Sequence, residues 1–139
     1  MDGQLPRTRR VRLWTAPIYD IYTLFGENDA KDFLRHLRKL ESWPGIGLNG
    51  DPFLVQDLFC YPIKALHHEA VWDVRLNGPV GAKDHVRVIV WVEKARSSTP
   101  PFLWVLQVVQ KQEEEFSQEE IMEFMKRKED VIKTYKSDS

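Results

Sequence analysis

The chain has 139 residues, 42% of them hydrophobic and 12% aromatic, which is enough for a core, too apolar for a disordered polymer and sized for one domain. Lys and Arg (20) nearly balance Asp and Glu (21), so the formal net charge of −1 predicts no charged partner and only local charge distribution can. Cys60 is the only cysteine, which excludes an intramolecular disulfide and a multi-cysteine zinc site; no run approaches the roughly 18 apolar residues of a membrane span, and the start lacks the apolar run of a secretory signal, so a cytoplasmic protein is expected.

After the basic segment 1–10, VRLWTAPIYDIYTLF (11–25) is dense in β-branched and aromatic residues and reads as one or two short strands interrupted near Pro17. NDAKDFLRHLRKLESW (28–43) places Phe33, Leu34, Leu37 and Leu40 on one helical stripe, with Asn28 or Asp29 as cap and Pro44-Gly45 as stop. PGIGLNGDP (44–52) is loop by its glycines and prolines. FLVQDLFCYPIKAL (53–66) fits neither period cleanly, and its end, Tyr61 to Leu66, reads as a strand.

Strands are then expected at about 70–77, 85–94 and 102–111, joined by connections short enough for an antiparallel meander. At the end of the chain Ser117 and Glu120 have capping-box spacing, and Phe116 and Ile121 fit a hydrophobic staple. Ile121, Phe124, Met125, Ile132 and Tyr135 form an apolar stripe interrupted by Lys128. The expected fold class is α+β: a small sheet of four to five strands, antiparallel or mixed, with an N-terminal helix region and a C-terminal helix packed on one face. One domain would cover 1–139, with 136–139 a frayed tail.

The strand 70–77 alternates Trp72, Val74 and Leu76 against Asp73, Arg75 and Asn77; the strand 85–94 alternates Val86, Val88, Val90 and Val92 against His85, Arg87, Ile89, Trp91 and Glu93. The valine face must be core, which leaves Arg75 and Arg87 on a face that the helices need not cover. A hairpin centred near residue 81 makes them neighbours, and a turn near residue 98 brings Val109 to Arg87 and Lys111 to His85. Two guanidinium groups about 5.5 Å apart repel by about 3 kcal/mol at an effective dielectric of about 20, so such a cluster suits an anion, phosphate above all. The plainer alternative is solvation, or pairing with Asp73 and Glu93. His36, His67 and His68 bring no further ligands at metal spacing, so no metal site is expected, and GPVG (78–81) is a hairpin loop because no helix follows it.

The succession PIKAL, VWDVRL, HVRVIVWVE, VLQVVQK and SQEEI, over about residues 55–135, resembles the RelE/ParE superfamily of bacterial toxins, most closely its HigB-like, phage-derived branch. The resemblance implies a RelE-like domain, the toxin of a type II toxin-antitoxin system, that enters the ribosomal A site and cuts mRNA without metal or other cofactor. Attack there is by the ribose 2′-hydroxyl, so the protein orients, moves protons and stabilises charge. On this alignment Arg75 and Arg87 contact the scissile phosphate and Lys111 matches the lysine after the last strand. Lys64 matches a lysine placed to touch RNA backbone, and Lys83 and Lys94 are further expected RNA contacts. His85 joins the catalytic group from its place on the patch and the titration range of imidazole.

The chain departs from that pattern at Gln112, where relatives carry a second basic residue, at Glu113, Glu114 and Glu115, which replace an often basic stretch, and at Phe116, near a proton-handling tyrosine. Three glutamates beside a phosphate site lower its attraction for RNA, although the basic RTRR segment (7–10) is a further source of charge. Two functions therefore compete. One is a ribosome-dependent mRNA endoribonuclease held inactive by a cognate antitoxin that covers the basic face, with no membrane partner. The other is a non-catalytic protein of the same fold acting through protein contacts, as the ParE branch acts on gyrase, or as a regulatory module.

Overall fold

The computed structural model describes residues 9–43, 51–93 and 102–136 and is α+β: a mixed six-stranded sheet with a long helix at each end of the chain. The strands are β1 (Arg10–Arg12), β2 (Phe53–Val55), β3 (Leu58–Pro62), β4 (Val71–Arg75), β5 (Val86–Val92) and β6 (Phe102–Gln110), in spatial order β1-β6-β5-β4-β3-β2. The expected meander is present as β2 to β6, all antiparallel; β1 adds a parallel edge on β6, making one strand more than the four to five expected. The helices are α1 (Thr15–Arg38) and α2 (Gln118–Tyr135).

The segment 11–25 is not a pair of strands. Only Arg10–Arg12 pairs, and from Thr15 the chain is helical because Ile21 and Phe25 fall on the stripe that Ala30, Phe33 and Leu37 continue, all buried against the valine face. Pro17 sits in the first turn, where its missing N–H costs nothing. Neither Asn28 nor Asp29 starts the helix; the break is Gly26, whose φ of 74° and ψ of 176° are open essentially to glycine alone. The helix ends in a 3-10 turn, Lys39–Ser42, and the expected stop at Pro44-Gly45 lies outside the described residues.

The ambiguous stretch 53–66 is a tight hairpin, β2 to β3, turned by Gln56 at φ 56°, so the strand lies at 58–62 rather than 61–66 and Lys64–Glu69 is a 3-10 helix. Between β4 and β5, Gly81 and Ala82 both have positive φ inside the Val80–Lys83 bridge, the geometry of a type I′ turn. The turn docks against α1: a Cβ on Gly81 would lie 2.7 Å from that of Asp29.

The helices lie on opposite faces, not on one. The valine face, with Trp72, Val74, Val88, Val90 and Leu103, packs on α1; the other face, with Ile89, Trp104 and Leu106, packs on Phe124 and Val131 of α2. Cover on both sides explains why β6 is apolar on both faces from Phe102 to Leu106, and a bulge at Ile89/Val90 opposes Leu106 and Gln107 to one residue of β5. The capping box at Ser117 and Glu120 forms as expected. The apolar stripe of α2 shifts by one position: Val131 is buried and Ile132 exposed. Lys128 is buried within it, its ammonium 2.7 Å from Glu69 Oε2 and 5.2 Å from the Trp91 ring centre. Among the described residues, no helix is long and apolar enough to cross a membrane.

Glu93 ties the far end of the sheet together. Its carboxylate accepts from Trp104 Nε1 (3.0 Å) and the Phe102 amide (3.4 Å) and meets Lys136 Nζ at 2.6 Å, while its carbonyl accepts from Arg9 Nη1 at 2.7 Å. Burial raises its pKa, but Lys136, Trp104 and Phe102 outweigh burial and leave it below the ordinary 4.5. A carboxyl depressed on folding stabilises fully above its unfolded value and loses that stabilisation as pH falls through its folded value. Urea midpoints should therefore fall on acidification below about pH 4.5 by less in Glu93→Gln than in wild type; equal falls would remove this residue from the acid response.

Candidate functional site

The register places Arg75 directly opposite Arg87, with Phe59 and Leu54 continuing the same row across β3 and β2 and Val109 continuing it across β6. Lys111 donates its backbone N–H to the His85 carbonyl at 3.0 Å, so the expected neighbours Arg87 with Val109 and His85 with Lys111 both form. His85 has φ 58°, an uncommon conformation for a residue with a Cβ though one histidine tolerates better than most. Arg75, His85, Arg87 and Lys111 line one cleft of about 360 Å³.

The cations in that cleft are not bare. Asp73, two residues from Arg75 on the same face, accepts at Oδ2 from Arg75 Nε (3.1 Å) and Arg87 Nη1 (3.3 Å). The strap 111–117, which joins β6 to α2, closes over them: Glu114 carboxylate oxygens sit 2.9 and 3.2 Å from Arg75 Nη1, and Arg87 donates to the carbonyl oxygens of Glu113 and Glu114. Lys111 Nζ bonds Glu120 Oε1 (3.1 Å) and Glu113 Oε2 (3.3 Å). Tyr61 and Phe116 add aromatic faces, 4.3 Å from the Arg75 guanidinium carbon and 5.2 Å from that of Arg87.

Arg87 is thus no solvent-facing cation. It is 3% exposed because the strap and Phe116 cover it, which corrects the expectation of an exposed patch on a face that the helices need not cover. Arg75 keeps 24% of its side chain exposed. The pairing anticipated with Asp73 forms; Glu93 lies at the other end of the strand and takes no part. Burial lifts the Asp73 carboxyl above its usual range against the pull of Arg87 and Arg75. Arg75 stands above its ordinary value because Asp73 and Glu114 overcome its own desolvation. Hydrogen bonding to Glu120, and next to Glu113, raises Lys111.

The remaining expected RNA contacts separate. Lys64, on the 3-10 helix, lines a second cleft of about 480 Å³ with Pro62, Asp73 and Ile121. Tyr61, Arg75 and Glu114 border both clefts and form the divide between them. Lys83 sits in the type I′ turn and lines neither, and Lys94 lies outside the described residues. Arg9 of the basic start is buried against Glu93 and adds no charge to the site. Among the described residues no group of His, Cys, Asp and Glu could hold a metal ion, and the Cys60 thiol, pushed up to about 12 by burial, is no nucleophile.

Sequence reasoning missed Glu114 as a partner of Arg75, since a contact across 39 residues has no local signal, and it passed over Phe59 and Tyr61 because the hairpin holding them fitted neither period. No protein-family model, characterised protein or solved structure matches the chain.

The shared carboxylate makes a steep stability prediction. Asp73→Ala leaves Arg87 buried without its charge partner and should cost about 3–5 kcal/mol in denaturant unfolding, whereas Asp73→Leu combined with Arg87→Met should cost less than half as much. Equal losses for the single and double variants would mean that packing, not charge, governs this position.

Proposed function

We propose that the chain is a RelE/ParE-type toxin whose site acts on RNA phosphodiesters and is held closed by its own strap. The observation that carries the reading is the convergence of Arg75, Arg87, His85 and Lys111 on one cleft at one end of the sheet. Asp84 and Glu114 line it beside these cations, and Asp73, Glu113 and Glu120 pair with them from its margins. Withdrawal of Glu114 would leave Arg75 and Arg87 sharing one carboxylate, Asp73, with Arg75 Nη1 turned to the cleft, which suits a phosphate oxygen.

In the reaction so read, His85 takes the proton of the ribose 2′-hydroxyl. The 2′-oxygen forms its bond to phosphorus, and the bond from phosphorus to the 5′-oxygen breaks. The products are a 2′,3′-cyclic phosphate and a 5′-hydroxyl, the leaving oxygen taking a proton from the protonated imidazole or from water. Arg75 and Lys111 stabilise charge on the phosphoryl oxygens, and Arg87, buried on Asp73, holds that carboxylate and through it Arg75 in place. The ribosome and mRNA are the substrate assembly on this reading, and a cognate antitoxin is the inhibitor.

One observation favours the second reading, a non-catalytic protein of the same fold acting by protein contacts: Arg75, Arg87 and Lys111 each already bind a carboxylate of the chain. Induction in cells with mapping of mRNA 5′ ends, followed by purified protein on translating ribosomes, separates the two. The nuclease reading expects cuts within coding sequence, faster cleavage in Glu114→Gln, and a loss of about 100-fold or more in Arg75→Ala. Growth arrest with intact transcripts in wild type and Glu114→Gln alike, together with inhibited DNA supercoiling, would transfer the conclusion to the second.

A further inference from the structure

We infer that Phe59, extended by Leu54, is a stacking platform for a base of single-stranded RNA whose phosphate lies toward Arg75, His85 and Lys111. The inference rests on the RNA-directed reading above and adds the feature that would hold the nucleotide. Phe59 alternates along β3 with Leu58 and Cys60, both buried in the core, so its ring faces the opposite side and belongs to neither core cluster. It is 38% exposed, and its partner across the hairpin, Leu54, is 57% exposed.

Phe59 lines the same 360 Å³ cleft as the four polar candidates and stands directly opposite Arg75 in the sheet register. Adjacent strands lie about 4.8 Å apart, so the row Leu54, Phe59, Arg75 moves from apolar platform to cation within the reach of one nucleotide from base to phosphate. Among the described residues β2 is the edge strand of the sheet on that side, next to the strand that carries Phe59. Aromatic faces interleaved with cations are what sequence-tolerant binding of single strands uses, because every base has a π face and every linkage a phosphate. An apolar peptide laid on Leu54 and Phe59 would cover the platform and engage none of Arg75, His85 and Lys111 in the same cleft.

The test measures fluorescence anisotropy with an oligoadenylate eight-mer and an abasic eight-mer of the same ribose-phosphate backbone. Both are run on wild type and Glu114→Gln, each with and without Phe59→Ala or Phe59→Trp. The platform predicts that the oligoadenylate binds about tenfold or more tighter than the abasic strand, that Phe59→Ala removes this difference, and that Phe59→Trp keeps it. Phe59 packs in neither core, so loss of fold is not the expected cause of a change, and the tryptophan variant guards against it. Equal binding of the two strands, or a preference that survives Phe59→Ala, overturns the platform and leaves the RNA reading standing. Binding of neither strand by wild type or Glu114→Gln overturns both.

Discussion

One carboxylate oxygen, Asp73 Oδ2, makes the charged end of the sheet possible. Opposite positions on antiparallel strands put the Arg75 and Arg87 backbones next to each other, and the two guanidinium groups would repel in any medium drier than water. Asp73 lies one residue pair further along the same face and accepts from both. Among the described residues its Oδ1 has no hydrogen-bond partner, and the residue is 2% exposed, so the arrangement carries the cost of a buried acceptor as well as the gain of two charge-assisted bonds. Such a cluster fixes geometry more surely than it adds stability, because most of the attraction offsets desolvation.

The strap extends that logic outward. Two backbone carbonyls complete Arg87, and one largely exposed carboxylate completes Arg75. These partners differ in what displacing them would require. The carbonyls belong to a chain anchored by the Lys111 ion pairs at one end and by the capping box and Phe116 at the other. The Glu114 carboxylate, with 78% of its side chain in solvent, is held by the pair with Arg75 and gains little from it. An incoming phosphate on the proposed reading competes with a weak ligand at Arg75 and leaves the stronger ones at Arg87 in place, which divides the two arginines into one that faces substrate and one that supports it.

Much of this was legible locally. Alternation along β4 and β5 put Asp73, Arg75 and Arg87 on one face, and a hairpin centred near residue 81 put the two arginines opposite one another. Ser117 and Glu120 announced the start of α2. The first helix was misread because β-branched and aromatic residues at 11–25 carry strand propensity, while burial of Ile21 and Phe25 against the valine face decides for helix. The hairpin at 53–62 escaped because three- and five-residue strands are too short to display a period.

The amino-acid order alone determined the α+β class, the strand parity and the gathering of four polar side chains at one end of the sheet, since each follows from periods and turns that act within about a dozen residues. Only tertiary structure decided that α2 covers the face opposite the valines, that β1 adds a parallel edge, and that the glutamates of the strap fold back onto the arginines. Those contacts join residues 21 to 92 positions apart, and which charge meets which at that separation depends on how the helices close over the sheet, not on local sequence.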